Sequence, residues 1–281
     1  MKTIVITGGN SGIGYEACLQ LASLNHRIIM ICRNEMTATK ACKNIKEKTS
    51  NQEIYCYIAD LSNFDILKET IATIIDKHKR IDVLINNAAD FDLSKKIPEY
   101  NHKNIEKQFA TNVIAPFILS ELFMPILQET KGKIINISSL GLVLYPDMRL
   151  DFENLNAEKR YSPSKTYYQN KLALLMVSLF MREKYPDVKV QAIRVPNVKI
   201  NIDKYKNIPK IMKYAYKIKS HFSISPSTMA EVYVKLSIDD FEEFLYDEKL
   251  NEVKANKATY NQEDQKRLYD LLLKYESDLN K

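Results

Sequence analysis

At 281 residues and 45% hydrophobic, the chain has the length and apolar content of one large α/β domain, and 41 Lys+Arg against 35 Asp+Glu leave a formal balance of +6. The lysines are spread along the chain rather than gathered into one block, which argues for a solvated basic surface and against a nucleic-acid footprint. Cys18, Cys32, Cys42 and Cys56 show no C-x-x-C spacing and no histidine at ligand spacing, so reduced thiols are expected rather than a metal site or a disulfide framework.

The first residues, MKTIVITGG, run straight into a strand and a turn, without the charged and apolar regions of a signal peptide. No stretch reads as long and apolar enough to cross a bilayer, so the cytosol is the expected compartment and no integral membrane segment is expected. Short β-branched runs at Thr3–Thr7, Arg27–Cys32, Ile54–Ala59, Asp82–Asn86, Lys133–Ser138 and Val188–Val195 predict strands. Between them, roughly 12–24, 35–48, 63–79, 103–129 and 163–185 carry helical periodicity, and Ser62 or Asn63 could cap the third helix. Near-continuous apolar strands belong to a parallel sheet buried on both faces. The repeated strand–helix alternation predicts a doubly wound, Rossmann-like α/β fold that binds its ligand at the carboxyl ends of the strands. From about 203 the alternation fades into a Lys/Tyr-rich segment, a helix near 226–237, an acidic stretch and a final helix near 262–279.

The first strand ends in Thr7-Gly8-Gly9-Asn10-Ser11-Gly12-Ile13-Gly14, after which an apolar helix runs from Tyr15 to Leu24. Glycine at 8, 12 and 14 lets the backbone turn tightly and approach a pyrophosphate, while the helix N-terminus offers unpaired N–H groups and a positive dipole end. A Gly-rich turn by itself is weak evidence, but its place at the first strand–helix turn removes most of the doubt. The second strand ends in Cys32-Arg33-Asn34, with no carboxylate to accept from a ribose 2′-OH. Arg33 can fork onto a 2′-phosphate instead, which points to NADP(H); the bland alternative is a solvent-facing arginine.

The spacing T-G-x-x-x-G-x-G resembles the short-chain dehydrogenase/reductase family, and the resemblance covers about residues 1–200. It implies that Asp60 in Ala59-Asp60-Leu61 contacts the adenine. It also implies that Asn86-Asn87-Ala88-Ala89 stands for the family's N-N-A-G, with Ala89 replacing a glycine and therefore needing a negative φ. It assigns four working residues: Asn112, Ser139, and a Tyr and Lys spaced Y-x-x-x-K. Two such pairs are present, Tyr161…Lys165 and Tyr167…Lys171. Pro163 suits the first helical position with Ser162 as N-cap, which leaves Tyr161 outside the helix, whereas Tyr167 and Lys171 form an i,i+4 pair inside it. The segments 158–162 and 167–173 look like retinol-dehydrogenase-like members, in which the second tyrosine is catalytic, so both arguments select Tyr167.

In the implied chemistry Tyr167 is the acid–base group of a hydride transfer between the nicotinamide and a carbonyl or alcohol carbon of a small lipophilic substrate. Lys171 is a cation expected to lower the phenol's pKa and to hold the nicotinamide ribose, Ser139 bonds the substrate oxygen, and Asn112 distorts its helix to hold a water. Cofactor contacts are expected from Gly8, Asn10, Ser11, Gly12, Ile13, Gly14, Arg33, Asn34, Asp60, Leu61, Asn87, Ala88, Tyr167, Lys171, Pro196 and Val198. Asn197 and Asn201 replace a glycine and a threonine of the family's nicotinamide turn. An alternative in another class is a catalytically weak NADP(H)-binding sensor or scaffold on the same fold. The amphipathic, Lys-rich segment 203–223 reads as a substrate lid or as a surface helix packed on the sheet edge. Members of the family commonly associate through the helices corresponding to 103–129 and 163–185, so the resemblance makes a homodimer a candidate, although retinol-dehydrogenase-like members need not associate.

Overall fold

Along the first strand Ile4, Val5 and Ile6 send their side chains to alternate faces, yet all three are fully buried. Val5 packs with Phe64, Phe109, Phe117 and Phe123 in one cluster, while Ile4 and Ile6 pack with Ala17, Leu21 and Tyr233 in another. Burial on both faces is what a near-continuous apolar strand requires, and each such side chain contributes roughly 1.5–3 kcal/mol on leaving water.

The computed structural model describes residues 1–199 and 223–278. Its strands are β1 (Thr3–Thr7), β2 (Arg27–Cys32), β3 (Ile54–Ile58), β4 (Val83–Asn86), β5 (Lys133–Ser139), β6 (Lys189–Val195) and β7 (Leu245–Tyr246). They form a seven-stranded sheet in the order β3-β2-β1-β4-β5-β6-β7, every neighbouring pair parallel. The strand order reverses direction between β1 and β4, the switch point at which a doubly wound sheet opens a crevice. Six strands lie where the sequence places them. β7 was not anticipated: only two residues long, it pairs Leu245 and Tyr246 with Ala192 and Ile193 at the sheet edge.

The helices are α1 (Gly12–Ser23), α2 (Glu35–Thr49), α3 (Phe64–His78), α4 (Lys107–Glu129), α5 (Pro163–Lys184), α6 (Pro226–Ile238) and α7 (Gln262–Asp278). Of the two candidate caps for α3, Asn63 is used, accepting from Ile66 N at 3.3 Å, while Ser62 donates instead to Asp60. α4 starts four residues later than its periodicity suggests because Glu106 caps it, taking the N–H groups of Gln108 and Phe109 at 3.0 and 2.8 Å. The expectation that no stretch could cross a bilayer is corrected here. α4 is long and apolar enough, and 78% of its apolar window is buried inside the protein, as a core helix would be.

α7 lies across α4 and α5, with Tyr269 between Phe117 and Phe180 at centroid distances of 5.4 and 4.7 Å. It thereby covers part of the helical surface from which subunit association was expected. Most of segment 203–223, read as a lid, and Asn201 lie outside the described residues. Cys18 and Cys32 are buried and Cys42 and Cys56 half-buried, and all four thiols are free.

Candidate active site

The β1–α1 turn builds one wall of the crevice. Gly12 has φ +58°, a conformation that favours glycine, and the space where its side chain would stand is open, although Gly12 itself is not among the residues that line the cleft. Gly14 is constrained in the opposite way: a Cβ would come within 2.6 Å of both Asn87 Nδ2 and the Gly8 carbonyl. Gly14→Ala is therefore expected to force the turn away from β4 and to weaken dinucleotide binding at least about tenfold, with a fall in Tm measured alongside; unchanged affinity would show that the turn tolerates the shift. Ser11 occupies the N-cap of α1 in an extended conformation and makes no side-chain cap bond there.

A cleft of about 490 Å³ opens at this point, lined by Gly8, Asn10, Ser11, Ile13 and Gly14 from the turn and by Arg33, Asn34 and Thr37 after β2. Asp60, Leu61, Asn87, Ala88, Ala89, Asp90 and Thr111 complete it. Arg33 is exposed, with no hydrogen bond or ion pair to its guanidinium among the described residues. Asn34 lines the cleft, but its side-chain oxygen is committed to capping α2 through Thr37 N at 3.0 Å. Asp60 likewise uses one oxygen to hold Ser62, through its N–H at 2.9 Å and its hydroxyl at 2.8 Å. Ala89 has no positive φ, as a compact turn with alanine requires. These features fit a dinucleotide: bare backbone and a helix N-terminus for the pyrophosphate, and a free guanidinium beyond the second strand.

The catalytic candidates gather beyond the Asp90 end of the cleft. Asn112 lies at the centre of a π-turn, Ala110–Ile114, where the N–H of Ala115 reaches back to the carbonyl of Ala110. Its side chain grips the backbone of Asp90 at both ends, accepting from Asp90 N and donating to Asp90 O, each at 2.8 Å. The local helix distortion expected of Asn112 is thus present, and it ties α4 to the β4 loop. The next loop residue, Phe91, stacks on Tyr167 with ring centroids 4.2 Å apart. Ser139 ends β5, accepts from Gly141 N at 3.2 Å and stands beside the Tyr167 hydroxyl.

α5 begins at Pro163 with Ser162 as N-cap, which leaves Tyr161 in the preceding loop. Lys171 Nζ lies 5.5 Å from the Tyr167 ring centroid and donates to the Ile137 carbonyl at 2.6 Å. One expectation is corrected. Burial pushes the Tyr167 phenol above its ordinary range, with Tyr168 adding to the rise and Ser139 opposing it, and Lys171 does not offset this. Lys171 is itself buried, 2% exposed, and burial lowers its pKa to about 8.

Pro196 and Val198 follow β6. Val198 bridges to Ile224 as a short parallel pair, and Asn197 needs no positive φ. A larger cavity of about 570 Å³ lies between residues 145–161 and α5, lined from the helix by Lys165, Thr166, Gln169 and Asn170. Those positions occupy the helix face opposite Tyr167 and Lys171, so the larger cavity is not the one beside the catalytic candidates. Sequence reasoning missed Phe91, which no motif marks. It also missed Tyr233 on α6, whose hydroxyl reaches Asn87 Oδ1 at 3.3 Å across 146 residues of chain.

A family described as short chain dehydrogenase matches residues 2–149. Human retinol dehydrogenase 13 is 34% identical over 178 residues, 62% of this chain and 52% of that protein, so the chain spans about half the length of this relative. Human polyprenol dehydrogenase is 26% identical over 279 residues, covering 95% of this chain and 83% of its own. Among solved structures, L-sorbose reductase from Gluconobacter frateurii complexed with NADPH and L-sorbose superposes with a TM-score of 0.67. It is 17% identical and covers 90% of this chain and 98% of its own, a likeness of fold.

Proposed function

Since this chain belongs to the short-chain dehydrogenase/reductase family, in its retinol-dehydrogenase-like branch, we propose that it is an NADP(H)-dependent oxidoreductase acting on a carbonyl or alcohol of a small lipophilic substrate. The observation that carries this reading is the convergence of Ser139, Tyr167 and Lys171 next to a cleft whose walls suit a dinucleotide. When bound, the nicotinamide supplies or accepts the hydride at the substrate carbon. Tyr167 Oη gives its proton to the substrate oxygen in reduction and takes it back in oxidation, and Ser139 Oγ orients that oxygen. Asn112 holds the Asp90–Phe91 loop at the mouth. Apolar exposure supports a lipophilic substrate: Phe91, which stacks on Tyr167, is exposed with Leu93 and Ile97 on the same loop, and Val143 and Leu144 are exposed in the turn that follows Ser139.

The cofactor preference is tested at Arg33. Its free guanidinium suits the 2′-phosphate that distinguishes NADP(H), so Arg33→Ala should weaken NADP(H) about 10- to 100-fold while leaving NAD(H) nearly unchanged. Fluorescence titration of both cofactors reads this directly; equal affinities in the wild type would sink the preference. The activity itself is tested by following NADPH oxidation against a panel of apolar aldehydes, ketones and quinones.

A further inference from the structure

Tyr233 is the largest fully buried side chain among the described residues, and it lies on α6, which packs against α1 on the far side of the sheet from α5. A tyrosine at zero exposure carries a hydroxyl that must find a partner, and this one donates to Asn87 Oδ1 at 3.3 Å. The other end of the same amide donates to the carbonyls of Thr7 at 2.9 Å and Gly8 at 3.4 Å. The Asn87 N–H and the Ala88 N–H both bond Thr7 Oγ1 at 3.0 Å. Asn87 therefore clamps the two strand ends that flank the cleft, and only one orientation of its amide works. Turned over, its oxygen would face two carbonyl oxygens, and its NH₂ would face the tyrosine hydroxyl.

We propose that Tyr233 is a positioning residue of the dinucleotide site, fixing the Asn87 amide so that the β1–α1 turn keeps the shape that receives a pyrophosphate. The inference rests on reading the cleft as a dinucleotide site, and it adds a residue from α6, on the far side of the sheet from the helix that carries Tyr167. Without the phenol hydroxyl, the half-buried Asn87 Oδ1 loses the donor that fixes its orientation, and the clamp that faces Gly8 and Gly14 loosens. Packing is unaffected by loss of a single oxygen, so phenylalanine separates the clamp from mere filling of the core.

Tyr233→Phe should raise the Kd of NADPH roughly 5- to 30-fold, while kcat at saturating cofactor stays within about twofold. Amide hydrogen exchange at residues 8–14 should quicken in the same variant without cofactor. In an Asn87→Ala background the further change Tyr233→Phe should leave the NADPH affinity unaltered, because the residue acts through the amide. Additive losses in the double variant, or wild-type affinity and exchange in Tyr233→Phe, overturn the proposal. If the wild type binds neither NADPH nor NADH, the dinucleotide reading fails, and exchange at 8–14 alone decides the clamp: faster exchange upholds it, and unchanged exchange overturns it.

Discussion

Tyr167→Phe is expected to lower turnover about 10²–10⁴-fold, the usual worth of acid–base assistance, while NADPH still binds. Tyr161→Phe should leave turnover within about twofold of wild type. The two tyrosines differ in position, and the structure gives the reason. Tyr161 precedes α5, and its hydroxyl accepts from Gln108 Nε2 at 3.2 Å beside the cavity on the opposite helix face. Tyr167 stands beside Ser139 and one helical turn from Lys171. Because burial holds its phenol above the ordinary range, the group is protonated at neutral pH, which suits donation to a carbonyl oxygen. Steady-state kinetics on both variants, with cofactor titration as a control for folding, settle the assignment; the reverse pattern would transfer it to Tyr161.

Lys171→Met should cost about 10²-fold or more in kcat, since it removes the buried cation nearest Tyr167. It should also carry a signature in stability. The folded pKa of about 8 lies below the unfolded value of about 10.4, so between these pH values the unfolded chain binds a proton that the folded chain lacks. Wild-type stability, measured relative to Lys171→Met, should therefore be constant below about pH 8. It should then climb by up to about 3 kcal/mol as pH rises toward 10.4, as the burden of a buried charge is relieved. Turnover that depends on the charged form should fall as pH rises through about 8. Chemical denaturation of both proteins across pH 7–10.5 tests the first statement, and a flat difference would mean that Lys171 keeps its proton throughout.

The parallel sheet was legible because its information is local: each strand is a β-branched run buried on both faces, and each helix repeats its apolar positions within one segment. The Gly turn, the place of Arg33 after β2 and the start of α5 at Pro163, which puts Tyr167 inside the helix and Tyr161 before it, were legible for the same reason, since a turn, a strand end and a proline at the first position of a helix are decided by neighbours in the chain. Even the distorted helix at Asn112 appeared where the pattern put it.

What the sequence did not carry depends on residues far apart in the chain. β7 is two residues in an acidic stretch and exists because β6 offers an edge to pair with. α4 has the composition of a membrane span, and only its enclosure between the sheet, α3 and α5 makes it a core helix. Lys171 was expected to act on its neighbour as a cation. Its depth, set by how α5 seats on β5, lowers its own pKa to about 8, and burial is likewise the main influence on the tyrosine. Phe91 over Tyr167 and Tyr233 under Asn87 are contacts across 76 and 146 residues of chain. Periodicity and motif spacing report which face a residue turns and which backbone it needs, and so the sequence by itself determined the sheet, the Gly-rich turn and the order of the candidate site residues. Desolvation and long-range hydrogen bonds depend on what finally surrounds each group, so the charge of Lys171, the protonation of Tyr167 and the clamp on Asn87 were decided only by the tertiary structure.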